Sequence, residues 1–209
     1  MLIINMDNFE THVKSIRTFA RSKKYPVMRV KTCKVLDEKI KEYEKIYSGN
    51  EINVLEIGTC LGISGLTILN ASQKTKLTTI EINEDTYKLA KVNFDNAGFS
   101  HRVNQLLGDC VEIVSYMYGN QYDIILIDGP KSKYEEITKM CLPMLKINGF
   151  IFADDILYHG MVFSEYNDHK QRTIVNALRH YLKYIEENDS LVSTQIKIED
   201  GILIAKKIK

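Results

Sequence analysis

Apolar and polar residues recur along this chain with two different periods. Short apolar runs rich in β-branched residues, typical of buried strands, occur near residues 52–57, 77–82, 103–107, 122–127 and 149–153. Between them, apolar residues at helical spacing predict helices near residues 62–73, 84–97, 110–118 and 132–145. Strands that alternate with helices form a parallel sheet through right-handed crossovers. The pattern therefore predicts an α/β fold with helices on both faces of the sheet.

The two ends of the chain depart from this alternation. Helical periodicity near residues 7–24 and 32–47 precedes the first strand, and a long helix is predicted from about residue 169 to 188. Two β-rich runs then flank Asp200-Gly201, a dipeptide that favours a tight hairpin turn. We therefore expect a mostly parallel, seven-stranded sheet whose last strands form an antiparallel hairpin.

A glycine-rich turn follows the first predicted strand and precedes a helix, which is the usual start of a nucleotide-binding α/β sheet. Gly58 and Gly62 are four residues apart, whereas the dinucleotide-binding motif places its first two glycines two apart. Glu56 precedes the turn, where a carboxylate would repel a pyrophosphate and suit a ligand with an ammonium group. Glu81 ends the second strand, where a carboxylate can bind both hydroxyls of a ribose. These features favour S-adenosylmethionine (SAM) over NAD, and over a turn of this kind without a ligand.

Three aspartates follow two strands of the predicted sheet. Asp128 comes directly after the fourth strand, and Asp154 and Asp155 follow the fifth. Because the carboxyl ends of parallel strands meet at one edge, these carboxylates should lie close together and repel one another unless a cation binds. Oxygen ligands without His or Cys suit Mg²⁺ or Ca²⁺ rather than zinc. One aspartate alone would be explained as a helix cap, but the three together, with Lys131 nearby, predict a magnesium site.

Composition adds little to this picture. The formal net charge of +1 does not by itself indicate a nucleic-acid-binding protein. The four cysteines lack the paired spacing of a metal site and are interpreted as reduced thiols. No signal peptide and no apolar run of membrane-spanning length is recognisable, so we expect a cytoplasmic protein. Its 209 residues are predicted to form one domain, with an N-terminal helical segment (1–48) and an α/β core (49–209).

Together these motifs resemble the metal-dependent catechol O-methyltransferase-like family, which has the Rossmann-like class I methyltransferase fold. The resemblance covers nearly the whole chain from Pro26 onward, and it is most specific in Asp128-x-x-Lys131 and in the pair Asp154-Asp155. The family usually has Asn at the second position of that pair, so Asp155 adds a negative charge. The resemblance implies an O-methyltransferase that uses SAM and Mg²⁺, forms a homodimer and contacts its substrate with the N-terminal segment.

The resemblance also implies roles for individual residues. Lys131 would be the catalytic residue that accepts the proton of the substrate hydroxyl, and Glu81 and Asp109 would bind the ribose and the adenine amino group. The implied metal ligands are Asp128, Asp154 and Asp155. The full set of implied cofactor-binding residues is Met28, Val30, Glu56, Gly58, Ser64, Glu81, Asp109, Cys110 and Asp128.

Two kinds of substrate are compatible with this site. The segments 156–160, 172–175 and 200–202 resemble bacterial tRNA 5-hydroxyuridine methyltransferases, and this resemblance predicts methylation of wobble 5-hydroxyuridine to 5-methoxyuridine, with the anticodon region of tRNA as the partner. Cations near the N-terminus suit an anionic substrate, although they are equally well explained as a solvated helix face: Lys14, Arg17, Arg21, Lys23, Lys24, Arg29, Lys31 and Lys34. The alternative is a small catechol or caffeoyl-type acceptor, and a third hypothesis is a cofactor-binding scaffold without catalysis.

Overall fold

The computed structural model describes residues 6–47, 51–164 and 169–209. Within these ranges the α-helices are α1 (Met6–Lys23), α2 (Val30–Ile46), α3 (Ile63–Ala71), α4 (Glu84–Asn96), α5 (Cys110–Ser115), α6 (Tyr134–Cys141) and α7 (His169–Glu186). The strands are β1 (Ile52–Ile57), β2 (Thr75–Glu81), β3 (Val103–Leu107), β4 (Tyr122–Ile127), β5 (Leu145–Ala153), β6 (Leu191–Ile196) and β7 (Ile202–Lys207). The predicted order of helices and strands is confirmed throughout.

The described strands form a seven-stranded sheet in the order β3-β2-β1-β4-β5-β7-β6. The pairs β1–β4, β4–β5 and β2–β3 are parallel, whereas β7 is antiparallel to both β5 and β6. The predicted Rossmann-like methyltransferase fold is therefore confirmed, including its terminal hairpin. The strand order changes direction at β1 and β4, and open α/β sheets bind ligands beyond the carboxyl ends of strands at such a point.

The described residues divide into two compact units. The first lies within residues 1–52 and 58–109 and contains α1 to α4 with β2 and β3. The second consists of residues 53–57 and those from 110 onward, and it contains most of β1 together with β4 to β7. That residues 1–209 act as a single methyltransferase domain stays a prediction.

In the first unit, the packing of α3 explains a glycine of the predicted ligand-binding turn. Gly62 has a φ of 81°, which side chains rarely adopt, and a Cβ atom there would lie 2.9 Å from Cζ of Phe94 on α4. Phe94 itself is 1% exposed. A larger residue at position 62 would clash with the Phe94 ring, so the packing of α3 against α4 favours glycine there. The sequence had suggested only that the glycines of this turn let a ligand approach the backbone.

In the second unit, β4 is buried along its whole length, as expected for a central strand. Strand β5 begins at Leu145, earlier than the predicted start near residue 149. The early part of β5 is held by Lys146, whose Nζ lies 2.9 Å from Oδ2 of Asp123 on β4. Asn148, with a φ of 70°, interrupts the apolar pattern inside the strand, which explains why the apolar pattern predicted a later start.

Two smaller expectations can be compared with the structure. Within the part of the chain that the structure describes, the four cysteines form no disulfide bond. Among the described residues, no helix combines the length and the apolar character that are needed to cross a bilayer.

Candidate active site

The glycine-rich turn of the first unit is held to the end of β2 by Glu81. This side chain is buried, with Oε2 accepting a hydrogen bond from the backbone N–H of Cys60 at 2.7 Å and Oε1 accepting one from Asn83 at 2.8 Å. The backbone N–H of Gly58 donates to the carbonyl of Ile80 at 3.0 Å. Each carboxylate oxygen can accept more than one hydrogen bond, so Glu81 retains acceptor capacity for ligand hydroxyls.

The other predicted cofactor residues of the first unit differ in accessibility. Ser64 lies buried in the first turn of α3, and Asp109 is exposed two residues after the end of β3. Met28 is buried between α1 and α2, where its carbonyl accepts a hydrogen bond from Arg17 Nη1 at 2.7 Å. Val30 begins α2 and is 57% exposed. The structure therefore brings Glu81 to the turn, while Met28 lies in the connection between the first two helices and Val30 begins the second.

In the second unit, the backbone aligns the strand ends that carry the predicted metal ligands. The N–H of Asp128 donates to the carbonyl of Ile57 at 2.9 Å, and the N–H of Asp154 donates to the carbonyl of Ile127 at 3.1 Å. These bonds extend the parallel pairing beyond β1, β4 and β5. Glu56, a predicted cofactor residue, is fully buried in β1, and Cys110 is buried at the start of α5.

The three predicted metal ligands interact electrostatically. Asp154 is 3% exposed, and burial together with the charges of Asp128 and Asp155 raises the pKa of its carboxyl group to about 8. Nearby, Lys131 Nζ lies 3.2 Å from Oδ2 of Asp155 and provides the opposite charge. The site thus concentrates three carboxylates around one half-buried ammonium group.

This donor set has the chemistry that a divalent cation requires. Carboxylate oxygens are the preferred ligands of Mg²⁺, and a cation would relieve the repulsion that raises the pKa of Asp154. Among the described residues, however, no three His, Cys, Asp or Glu side chains are already arranged as a metal-binding group. The Mg²⁺ dependence stays a prediction, supported by the charge and chemistry of these residues.

Sequence reasoning did not identify Tyr134 as a functional residue. It begins α6, is fully buried, and donates a hydrogen bond from its hydroxyl to the carbonyl of Asp154 at 3.0 Å. The available signal was its position three residues after Lys131, at the start of an amphipathic helix. The contact itself joins residues twenty positions apart, which no local pattern predicts.

The segment that follows the acidic pair is held by the terminal hairpin. Asp155, Tyr158 and His159 all have positive φ values, of 55°, 46° and 57°, a conformation that side chains disfavour. Buried Asp200 accepts a hydrogen bond from the backbone N–H of His159 through Oδ1, and its carbonyl accepts one from Leu157 at 2.9 Å. The sequence predicted Asp200 only as a turn residue, whereas the structure gives it a role in fixing this segment.

The basic N-terminal segment separates into buried and exposed cations. Arg17 is half-buried, and its guanidinium donates to the Met28 carbonyl at 2.7 Å and to Cys33 Sγ at 3.1 Å. This cation therefore stabilises the connection between α1 and α2. The exposed cations of the segment are Lys14, Arg21, Lys23, Lys24, Lys31 and Lys34.

Known proteins of one enzyme family resemble this chain in sequence and in structure. The family model described as O-methyltransferase matches residues 10–208. Caffeoyl-CoA O-methyltransferase 2 from Populus trichocarpa is 28% identical over 173 residues, covering 77% of this chain and 68% of the relative.

Solved structures agree with this match. A protein from Staphylococcus aureus, assigned by inference as a caffeoyl-CoA O-methyltransferase, superimposes with a TM-score of 0.85 at 26% identity, covering 93% of this chain and 91% of that one. The O-methyltransferase from Bacillus cereus, solved in complex with SAH, has a TM-score of 0.82 at 19% identity, covering 94% and 90%; at that identity it supports the fold alone.

The fold is that of a class I methyltransferase. Because the family model spans nearly the whole chain, the protein belongs to the O-methyltransferase family. It is a SAM-dependent O-methyltransferase.

Proposed function

We propose that this enzyme methylates a small acceptor with two adjacent oxygens, of the catechol or caffeoyl type, with the help of a divalent cation. The observation that carries the proposal is the group formed by Asp128, Asp154, Asp155 and Lys131 at the ends of β4 and β5. The caffeoyl-CoA O-methyltransferase relatives support this acceptor class over tRNA.

SAM supplies the methyl group, and the residues expected to hold it follow from the family resemblance. Glu81 would accept hydrogen bonds from the ribose hydroxyls, and Asp109 would bind the adenine amino group. The turn from Gly58 to Ser64 would contact the methionine portion, with the Glu56 carboxylate near the ammonium group. The remaining residues of this set are Met28, Val30, Cys110 and Asp128.

The acceptor would be oriented by the carboxylates of the second unit. A divalent cation bound by Asp128, Asp154 and Asp155 would polarise the acceptor hydroxyl and fix its orientation. Lys131 Nζ lies 3.2 Å from Oδ2 of Asp155. In its neutral amine form, Lys131 would accept the proton of the acceptor hydroxyl.

The transfer is balanced without any further reactant. The acceptor oxygen forms a bond to the methyl carbon while the bond between that carbon and the SAM sulfur breaks, and the hydroxyl proton moves to Lys131. Positioning of the two reactants can contribute roughly 7–11 kcal/mol to such a reaction. The role of the protein is therefore mainly to bind, orient and accept one proton.

A methyl-transfer assay tests the proposal directly. The protein is incubated with methyl-labelled SAM and with caffeoyl-CoA, catechol or tRNA that carries 5-hydroxyuridine, in the presence of Mg²⁺ or of excess EDTA. We expect labelled caffeoyl-CoA or catechol with Mg²⁺ and none with EDTA. Full activity in EDTA would contradict the cation requirement, and labelling of tRNA alone would contradict the small acceptor.

Lys131 has a matched control in the same turn. Lys131→Ala should lower kcat by at least about 100-fold, since a positioned proton acceptor contributes about 10²–10⁴-fold. Lys133→Ala should leave kcat unchanged, because Lys133 is half-exposed and pairs with Glu136 at 2.6 Å. Equal losses in both variants would show that Lys131 has no specific role.

The second candidate is the methylation of 5-hydroxyuridine in tRNA, which is favoured by the exposed cations of α1 and α2. Replacing Arg21, Lys23 and Lys24 together by Ala should then raise the KM for tRNA. It should also flatten the salt dependence, by a slope of about 0.7 for each phosphate that is no longer neutralised. Arg17 is left intact because its side chain holds the α1–α2 connection. If the KM for tRNA and the salt slope are unaltered, these cations do not contact tRNA and form only a solvated helix face.

The family resemblance also supports a homodimer, which we include in the proposal. Sedimentation equilibrium of the purified protein measures its mass in solution. A mass of about twice 24.1 kDa is expected, and a monomer at all concentrations would contradict this part of the proposal.

A further inference from the structure

Tyr134 contacts both parts of the proposed acceptor site in the second unit. Its hydroxyl donates to the backbone carbonyl of Asp154 at 3.0 Å. Its ring lies 5.9 Å from Lys131 Nζ, measured to the ring centroid, which is close to the limit of about 6 Å for a cation–π interaction. One side chain thus touches the proposed proton acceptor and the residue that supplies a proposed metal ligand.

The position of this ring is itself fixed. Tyr134 is fully buried, and its ring meets the ring of Tyr181 on α7 edge-on, with centroids 5.6 Å apart and an interplanar angle of 87°. Such edge-to-face pairs add to the stabilisation from burial. The N–H of Lys133 donates to the carbonyl of Pro130 at 2.8 Å, so the backbone between Lys131 and Tyr134 is a closed turn.

The electrostatic surroundings keep Tyr134 as a hydrogen-bond donor. Burial raises its pKa well above the ordinary value, and the charges of Asp128, Asp154 and Asp155 raise it further. The hydroxyl donates to the carbonyl of Asp154 at 3.0 Å, so the geometry assigns it a holding role.

We propose that Tyr134 is a positioning residue that sets the place of Asp154 through its hydroxyl and the place of Lys131 through its ring. The inference rests on the proposed function, because it assigns the two neighbours their roles as metal ligand and proton acceptor. The contribution of the hydroxyl and the contribution of the ring can be tested separately by substitution. Loss of the hydroxyl should affect the metal ligand, and loss of the ring should affect both neighbours.

Three variants separate these effects. Tyr134→Phe removes the hydroxyl and keeps the ring, and Tyr134→Leu removes both. Tyr181→Phe is the matched control, because Tyr181 is an equally buried phenol on the other side of the same ring pair. Each variant is measured for Mn²⁺ affinity by electron paramagnetic resonance, SAM affinity by calorimetry, kcat for the acceptor, and denaturant unfolding.

Tyr134→Phe is expected to weaken Mn²⁺ binding by roughly fivefold, as for the loss of one neutral hydrogen bond, at unchanged SAM affinity. Tyr134→Leu should weaken Mn²⁺ binding to a similar extent. It should also lower kcat at saturating Mn²⁺ by about a further tenfold, because the proton acceptor Lys131 is displaced. Tyr181→Phe should change neither quantity. The divergence between metal affinity and kcat is a result that a purely structural role would not produce.

The remaining outcomes overturn the inference in recognisable ways. If Tyr134→Phe and Tyr181→Phe behave alike, Tyr134 has no special role although the proposed function stands. If Tyr134→Phe unfolds while Tyr181→Phe folds, Tyr134 is a core residue only. If the wild-type protein binds no Mn²⁺, the proposed metal site fails first, and the inference about Tyr134 fails with it.

Discussion

Glu81 and Asp154 are two buried carboxylates in equivalent positions of their units, and their surroundings differ sharply. Each ends or follows a parallel strand, and each is less than a tenth exposed, at 8% and 3%. Glu81 accepts hydrogen bonds from two backbone N–H groups, those of Cys60 and Asn83. Asp154 accepts one, from the N–H of Asp155 at 2.8 Å, and faces two further carboxylates.

The difference shows how each carboxylate is compensated. Backbone N–H groups carry partial positive charge, so the protein itself supplies the partners that Glu81 needs. Burial, together with the charges of Asp128 and Asp155, raises the pKa of Asp154 to about 8. The first arrangement is suited to neutral hydroxyl groups, and the second is suited to a cation. Variants that exchange or remove these partners test the comparison.

The largest effect is expected at Asp154. Asp154→Asn keeps the shape of the side chain but removes the charge, and it should lower kcat at least about 100-fold, since even the outer partners of metal ligands matter about 10–100-fold. SAM affinity, measured by calorimetry, should stay unchanged because the residues assigned to SAM are not altered. Parallel losses of SAM affinity and kcat would contradict the separation between the two carboxylates.

A smaller effect is expected at Asp200, which supports the segment after the acidic pair. Asp200→Ala removes the carboxylate that accepts the backbone N–H of His159, and a hydrogen bond to a charged group typically contributes about 1.5–3 kcal/mol. Denaturant unfolding should show this loss, together with a weaker Mn²⁺ affinity. Asp189→Ala is the control, because Asp189 is an exposed carboxylate; a similar loss there would remove the specific role of Asp200.

Glu81→Gln should act on the other side of the comparison. The Gln side chain has one carbonyl oxygen and one NH₂ group, so it cannot accept hydrogen bonds at both former carboxylate positions. The turn therefore loses one charge-assisted hydrogen bond, and SAM affinity should fall about tenfold. Mn²⁺ affinity should be unaffected. Glu84→Gln, which alters an exposed carboxylate three residues away, is the control. A fall in Mn²⁺ affinity with Glu81→Gln would contradict the independence of the two groups.

The smallest effect is expected at Asn83, next to Glu81. Its side-chain oxygen caps α4 by accepting from the N–H groups of Asp85 and Thr86, and Asn83→Ala should cost about 1 kcal/mol of unfolding free energy. SAM affinity should change little, because the backbone N–H of residue 83 still donates to Glu81. Asn83→Ser, which keeps a capping oxygen, should restore most of the stability. A large loss of SAM affinity would show that the Asn83 side chain contributes to SAM binding.

The sequence alone determined the order of strands and helices, because each apolar run is local and its period is written in consecutive residues. It also determined which acidic residues lie at strand ends. Glu81, Asp128 and Asp154 are recognised as soon as the end of the strand is predicted. The terminal hairpin followed from Asp200-Gly201 and the β-rich runs on either side. These features depend on spacing over a few residues.

Only the tertiary structure decided how these residues are partnered. The Tyr134 hydroxyl meets the carbonyl of Asp154, and Asp200 meets His159, across separations of 20 and 41 positions. Arg17, which the sequence offered as a cation for substrate, is instead held by Met28 and Cys33. Such contacts arise when separate elements pack together, and packing brings together residues whose proximity has no signature in the local sequence.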